Sequence, residues 1–301
     1  DSDDNLAHYT AVPLPGPRLP HDMAFTPNYV ILNDFPLFWD PALLAADIHL
    51  PGFHRDMPSR FAVVPRRGGP EDVRWFEADP TFVLHFTNAY EDGDEIVLDG
   101  FFEEDPAPVD SLTGDKWQKA FRFLALDRLQ TRLHRWRFDL VTGATREERL
   151  TDSVTEFGMI NPTHAGSGYR YVYAASGKPG WFLFDALVRH DLETGSEERF
   201  AYGEGVFGSE TAMAPRTGST GEDDGYLITL TTDMNADASY CLVFDAARPA
   251  DGPVCKLALP ERISSGTHST WVSGSELRRW HDVDVAADAL GFQDGRPRAS
   301  R

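Results

Sequence analysis

Ten histidines are spread along this chain of 301 residues, and three of them stand in a similar setting. His21 lies in Leu-Pro-His-Asp-Met-Ala-Phe-Thr (19–26), His85 in Phe-Val-Leu-His-Phe-Thr-Asn-Ala (82–89) and His268 in Ser-Gly-Thr-His-Ser-Thr-Trp-Val (265–272). Each is framed by apolar, strand-like residues. Neutral imidazoles gathered from distant strands are a common way to hold a redox-active transition metal. The other histidines read as ordinary. His49, His54, His134, His164, His190 and His281 have polar or charged neighbours, and His8 reads as a strand residue within Leu6–Val12. The adjacent acids Asp223-Asp224 and Glu103-Glu104 would suit a hydrolase, but they read as solvated turns. There is no glycine-rich dinucleotide fingerprint after a strand and no Walker sequence.

The elements that must position these rings are strands. Tyr29-Val30-Ile31-Leu32, Arg60–Arg66 and Glu95–Asp99 are short apolar runs bounded by Asp, Asn, Gly and Pro, the usual strand signal. Ala24–Val30, directly after His21, reads as one strand. A hairpin unit recurs: Phe138-Asp139-Leu140-Val141-Thr142-Gly143 returns as His190-Asp191-Leu192-Glu193-Thr194-Gly195, and more loosely as Phe244-Asp245-Ala246-Ala247. Its spacing of about 50 residues is that of propeller blades, whose inner strands line a central axis. One segment departs from this pattern. Trp117, Phe121, Leu124 and Leu129 share a helical stripe, which predicts a single amphipathic helix over 115–131 facing the core. Residues 283–301 are rich in Ala, Asp and Gly and read as a C-terminal tail after a folded part spanning 1–282.

Composition bounds the partners. A formal charge of −20 repels phosphate backbones, so nucleic acid is excluded as a partner. No apolar run is long enough to span a membrane, and the first residues do not form a signal peptide. The expected location is the cytoplasm. Cys241 and Cys255 flank an expected hairpin and read as reduced thiols, with a cross-strand disulfide as the other reading.

Beyond these features, the ordered motifs resemble the carotenoid cleavage oxygenases, the family that includes a retinoid isomerase and the lignostilbene dioxygenases. His21–Tyr29, His85–Asp94 and Gly266–Val272 look like that family's second, third and fourth iron-histidine motifs. Arg60–Arg66, Glu156–Asn161 and Gly208-Ser209-Glu210 match further signatures. The resemblance runs from about His8 to Val272. It implies an all-β fold, a seven-bladed propeller of the carotenoid oxygenase type, with Fe2+ on the axis. It implies His21, His85 and His268 as metal ligands, and Glu156 and Glu210 as carboxylates that orient them through the far ring nitrogen. Thr267 and Ser269 depart from the family pattern, either as hydrogen-bonding groups near the metal or without consequence.

The family's first iron histidine and its third carboxylate have no counterpart in this chain. The resemblance therefore covers the C-terminal portion of such an enzyme and implies missing N-terminal blades. The chain is expected to be a fragment, one half of a pair with a complementing N-terminal segment, or a degenerate relative. The implied activity is cleavage of an alkene C=C bond by O2. The substrate would be apolar and elongated: an apocarotenoid, a stilbene or a phenylpropene. The alternative is a catalytically incomplete propeller fragment that acts as a binding or assembly module.

Overall fold

Short β-branched and aromatic runs fold as strands throughout the computed structural model, which describes residues 5–47, 51–106, 130–177, 183–264, 266–277, 292–293 and 296–297. The chain divides into two compact units, Asp1–Ser269 and Thr270–Arg301. In the second unit the described strands are one short antiparallel pair, Phe292–Gln293 with Arg296–Pro297.

The first unit is all-β apart from short helical turns, and its sheets are antiparallel meanders of four strands. The first sheet joins β1 (Ala24–Phe25), β2 (Tyr29–Asp34), β5 (Ser59–Pro65) and β6 (Arg74–Ala78). Between β2 and β5 the chain makes an excursion through the paired strands β3 (Leu37–Trp39) and β4 (Pro51–Phe53), with a one-turn helix α1 (Pro41–Ala45) between them. The second sheet holds β7 (Phe86–Asp92), β8 (Glu95–Glu103), β9 (Thr131–Asp139) and β10 (Thr145–Arg149). The third holds β11 (Thr155–Met159), β12 (Tyr171–Gly177), β13 (Phe184–Asp191) and β14 (Ser196–Ala201). The fourth holds β15 (Val206–Pro215), β16 (Gly225–Asp233), β17 (Ala238–Asp245) and β18 (Pro253–Ala258). A single pairing, Phe184 with Gly208, links the third and fourth sheets. The described residues thus contain four four-stranded meanders, the last two joined in one eight-stranded sheet, and no sheet closes on itself.

Apolar seams hold the sheets face to face. Ile31, Phe61, Val63 and Phe76 of the first sheet pack with Ile96, Leu98, Trp136 and Phe138 of the second. Phe101 and Leu133 meet Val172 and Ala174 across the next seam. Tyr173 and Leu187 meet Met213, Leu227, Leu242 and Phe244 across the last. Strand β8 is therefore buried on both faces, with Ile96 to Phe101, Asp99 included, buried in succession. The first strands of successive sheets are neighbours: β1 lies by β7, β7 by β11 and β11 by β15. Polar stitches join them. Glu91 accepts hydrogen bonds from Thr26 Oγ1 (2.5 Å) and from the backbone N–H of Asn28 (3.0 Å). Asn88 donates to the Ser167 carbonyl (3.0 Å) and accepts from the Gly166 N–H (2.9 Å).

The hairpin repeat closes the outer two strands of a sheet each time. Asp139 Oδ1 accepts the N–H groups of Val141 and Thr142 at 2.8 and 2.9 Å, and Asp191 Oδ1 accepts those of Glu193 and Thr194 at 3.1 and 3.3 Å. Asp245 does the same for Ala247 at 3.0 Å. Gly143 and Gly195 complete the first two turns at φ +78° and +69°, a region that costs other residues a steric clash.

Some expectations are corrected, while others hold or fall outside the described residues. Ala24–Val30 is two strands, because Thr26 caps a tight turn with its hydroxyl on the Tyr29 N–H (3.0 Å), and Pro27 has no N–H for a ladder. Leu6–Val12 forms no strand; its His8 Nε2 instead meets the Gly68 carbonyl at 2.8 Å. The helix expected over 115–131 lies outside the described residues except for its end, where Thr131 already opens β9. The tail 283–301 lies almost wholly outside them. Cys241 and Cys255 are free thiols: Cys241 pairs with Leu257 and Cys255 with Val243, so the two are diagonal and not directly opposite. Glu103 is not a solvated turn. It ends β8 with 3% of its surface exposed, and burial, with the Glu156 charge nearby, pushes its carboxyl up to about 8. Asp223 and Asp224 are held by Arg189 and Arg216. Among the described residues no helix is long and apolar enough to cross a membrane.

Candidate metal centre

The three singled-out histidines come together. One ring nitrogen from each of His21, His85 and His268 lies within 4.8 Å of the others. The His85 ring stands edge-on to both partners, with centroids 5.2 Å from each. None of the three lies within a strand, which corrects the expectation that inner strands carry them. His21 and His85 sit on irregular backbone just ahead of β1 and β7. His268 follows β18 at φ +56°, a strained value for a residue with a Cβ. Backbone outside a ladder is free to turn a side chain toward the common centre. Strand residues alternate between two faces already committed to the seams.

Both expected glutamates reach a ring. Glu156 Oε2 accepts a hydrogen bond from His85 Nδ1–H at 2.6 Å, and Glu210 Oε2 lies 3.3 Å from His268 Nδ1. Local strand irregularity aims them. Strand β11 breaks register between Glu156 and Met159, with Phe157 at φ +53°, and β15 breaks register between Gly208 and Thr211. Strand β7 has a third break just after His85, between Phe86 and Asn88. Bulges re-aim a side chain in this way. Gly158 is required at the first of them, since a Cβ there would sit 2.8 Å from the Phe101 ring and 2.9 Å from Thr87 Oγ1. Ser269 completes the Glu210 contact, donating its N–H to Oε2 (2.8 Å) and its hydroxyl to the Glu210 carbonyl (3.2 Å).

The electrostatics follow from these contacts. Burial works against a charged His85, but the Glu156 hydrogen bond and charge outweigh it, and its pKa is raised. Burial and the neighbouring His85 lower that of His21. With Nδ1 engaged by Glu156, His85 offers Nε2, which is buried and has no hydrogen-bond partner. An orphaned imidazole nitrogen facing two further imidazoles fits a divalent transition metal. Phe157 backs the group, its ring 4.6 Å from that of His85 and 5.9 Å from that of His268, and Phe184 packs edge-on at 5.4 Å from Phe157.

The remaining described histidines lie elsewhere. His54 stacks on Phe38, His134 faces Glu147, His164 bonds the Gly168 carbonyl, and His190 is buried beside Glu197. His49 and His281 lie outside the described residues. Sequence reasoning missed Asp22. Its Oδ2 accepts the N–H of Phe86, the residue after His85, at 2.8 Å. Its place directly after His21 was the available signal.

Comparison with known proteins places the chain in a family. Residues 1–273 match the family model described as RPE65, retinal pigment epithelial membrane protein. The chain belongs to this family. A carotenoid 9,10(9',10')-cleavage dioxygenase 1 of Pisum sativum is 34% identical over 278 residues, covering 87% of this chain and 50% of the relative. A lignostilbene-alpha,beta-dioxygenase isozyme III of Sphingomonas paucimobilis is 30% identical over 302 residues, covering 91% and 58%. Among solved structures, a Pseudomonas brassicacearum lignostilbene dioxygenase superposes with a TM-score of 0.78 at 25% identity, over 90% of this chain and 58% of that one. A cobalt-substituted Synechocystis ACO gives 0.76 at 27% identity, over 86% and 54%. The chain thus spans about half the length of the curated relatives it matches.

Proposed function

We propose that this chain carries most of the metal-binding face of an iron(II)-dependent oxygenase. The reaction is cleavage of an alkene C=C bond by O2, in which one oxygen atom goes to each carbon and two carbonyl products leave. One observation carries the reading: three imidazoles converge within ligand reach of one centre, and the most buried of them keeps an unpartnered Nε2. His21, His85 and His268 would hold the metal. Glu156 and Glu210 would fix the tautomer and aim of His85 and His268, which also makes those rings better donors. Bound iron(II) supplies the binding and activation of dioxygen. Phe157 covers one side of the rings and excludes water there.

An apolar, elongated substrate suits the surroundings. Met23 and Phe25, beside His21, are 49% and 51% exposed, and Phe157 and Phe184 form an aromatic wall. The names of the relatives support carotenoid- or stilbene-derived alkenes as the class. We assign residues 1–282 to consecutive blades of a seven-bladed propeller and 283–301 to a tail. The half-length coverage and the set of three histidines favour a second reading, an incomplete propeller that binds or assembles and does not turn over. A complementing N-terminal segment would bring the missing ligand.

Anaerobic reconstitution with iron(II), followed by metal analysis and incubation with apocarotenoid, stilbene and phenylpropene substrates in air, separates these. The oxygenase reading expects about one iron per chain and paired carbonyl products. Bound iron without products would leave the binding-module reading. Absence of stoichiometric iron would remove the metal site.

A further inference from the structure

His21 differs from its two partners. Among the described residues the rings of His85 and His268 each meet a glutamate, and no hydrogen bond reaches the ring of His21. Its segment is irregular, and β1 after it is only two residues long. Something must hold this loop, because a metal accepts ligand displacements of only about half an ångström.

Asp22 makes the required contacts. Its Oδ1 accepts the Met23 N–H at 2.7 Å, shaping the loop locally. Its Oδ2 accepts the Phe86 N–H at 2.8 Å, across a sequence separation of 64 residues. Its backbone carbonyl accepts Asn33 Nδ2 of β2 at 2.6 Å. One residue thus ties the His21 loop to its own sheet and to the first turn of backbone after His85.

Resting on the metal-site reading above, we propose that Asp22 is a positioning residue, whose carboxylate straps the His21 loop to the start of β7 and so sets the separation of the His21 and His85 rings that the metal requires. It touches neither substrate nor metal. It acts through the backbone and not through the His21 ring.

Cobalt(II) titration under anaerobic conditions tests this, with metal-free melting temperatures measured alongside. Asp22→Asn keeps the shape but replaces one acceptor by an NH2 group that meets an N–H donor. Asp22→Ser shortens the reach. Wild type should bind one equivalent. Both variants should bind about ten- to a hundredfold more weakly, the scale of an outer-sphere change at a metal site, while the metal-free protein melts within a few degrees of wild type. In a His21→Ala background, Asp22→Asn should change affinity by less than about twofold, since the ring it positions is gone. Unchanged affinity in Asp22→Asn, or an undiminished loss in the His21→Ala background, overturns the proposal. So does failure of every Asp22 variant to fold without metal, which would make the residue structural. If wild type itself takes up no cobalt, the metal-site reading falls and this inference with it, an outcome distinct from normal uptake by wild type and variants alike.

Discussion

The pair His85–Glu156 shows what one carboxylate does for one imidazole. At 2.6 Å the glutamate fixes the proton on Nδ1 and leaves Nε2 directed at His21 and His268. His85→Ala should abolish metal retention while the melting temperature of the metal-free protein changes little, as judged by metal analysis after gel filtration. Glu156→Gln should weaken metal affinity by about ten- to a hundredfold, read by chelator competition. These residues were legible because their neighbours form ordered motifs, and the structure adds which acid serves which ring. Asp22 was missed because its partner is a backbone N–H 64 residues away, which its place directly after His21 marks but does not reveal. Glu103 was misread for a related reason. An acid next to a second acid reads as solvated, but its strand position turns it inward, and burial pushes its carboxyl up to about 8. The folded state therefore holds a proton there that the unfolded chain, with an ordinary carboxyl, releases near pH 4 to 5. Stability from this group is lost as pH rises from about 5 to about 8. Glu103→Gln should flatten that decline and melt higher than wild type at pH 8; identical melting curves across this range would contradict the assignment.

Strands, turns and bulges divide the work at the scale of elements. The strands supply seams, and the site is made where strands fail: in the loops before β1 and β7, in the breaks of β7, β11 and β15, and in the irregular segment carrying His268. Of the four described non-glycine residues at positive φ, Phe157 and His268 belong to the site and Asp47 and Asp237 do not. The strands were readable from their β-branched runs, and the hairpin repeat from its Asp and Gly spacing. The bulges were not, because a register break depends on the partner strand. The hairpins make a separate prediction. Gly195→Ala forces a Cβ into the left-handed region and should cost about 1 kcal/mol, seen as a lower melting temperature, while metal affinity stays at the wild-type value.

At the scale of the whole molecule, membership of the family and a likeness to solved dioxygenases at a TM-score of 0.78 account for the meandering sheets and the gathering of their first strands. The chain spans about half of its curated relatives, which agrees with three converging histidines where the family resemblance implies four. His21, His85 and His268 are proposed to share one metal. Crystals of the protein loaded anaerobically with iron(II), measured at the iron absorption edge, test it most directly. A shared site gives a single anomalous peak about 2.0–2.2 Å from one nitrogen of each of the three rings, near the bond length that imidazole makes to similar divalent metals. A peak elsewhere, or none in loaded crystals, would contradict it.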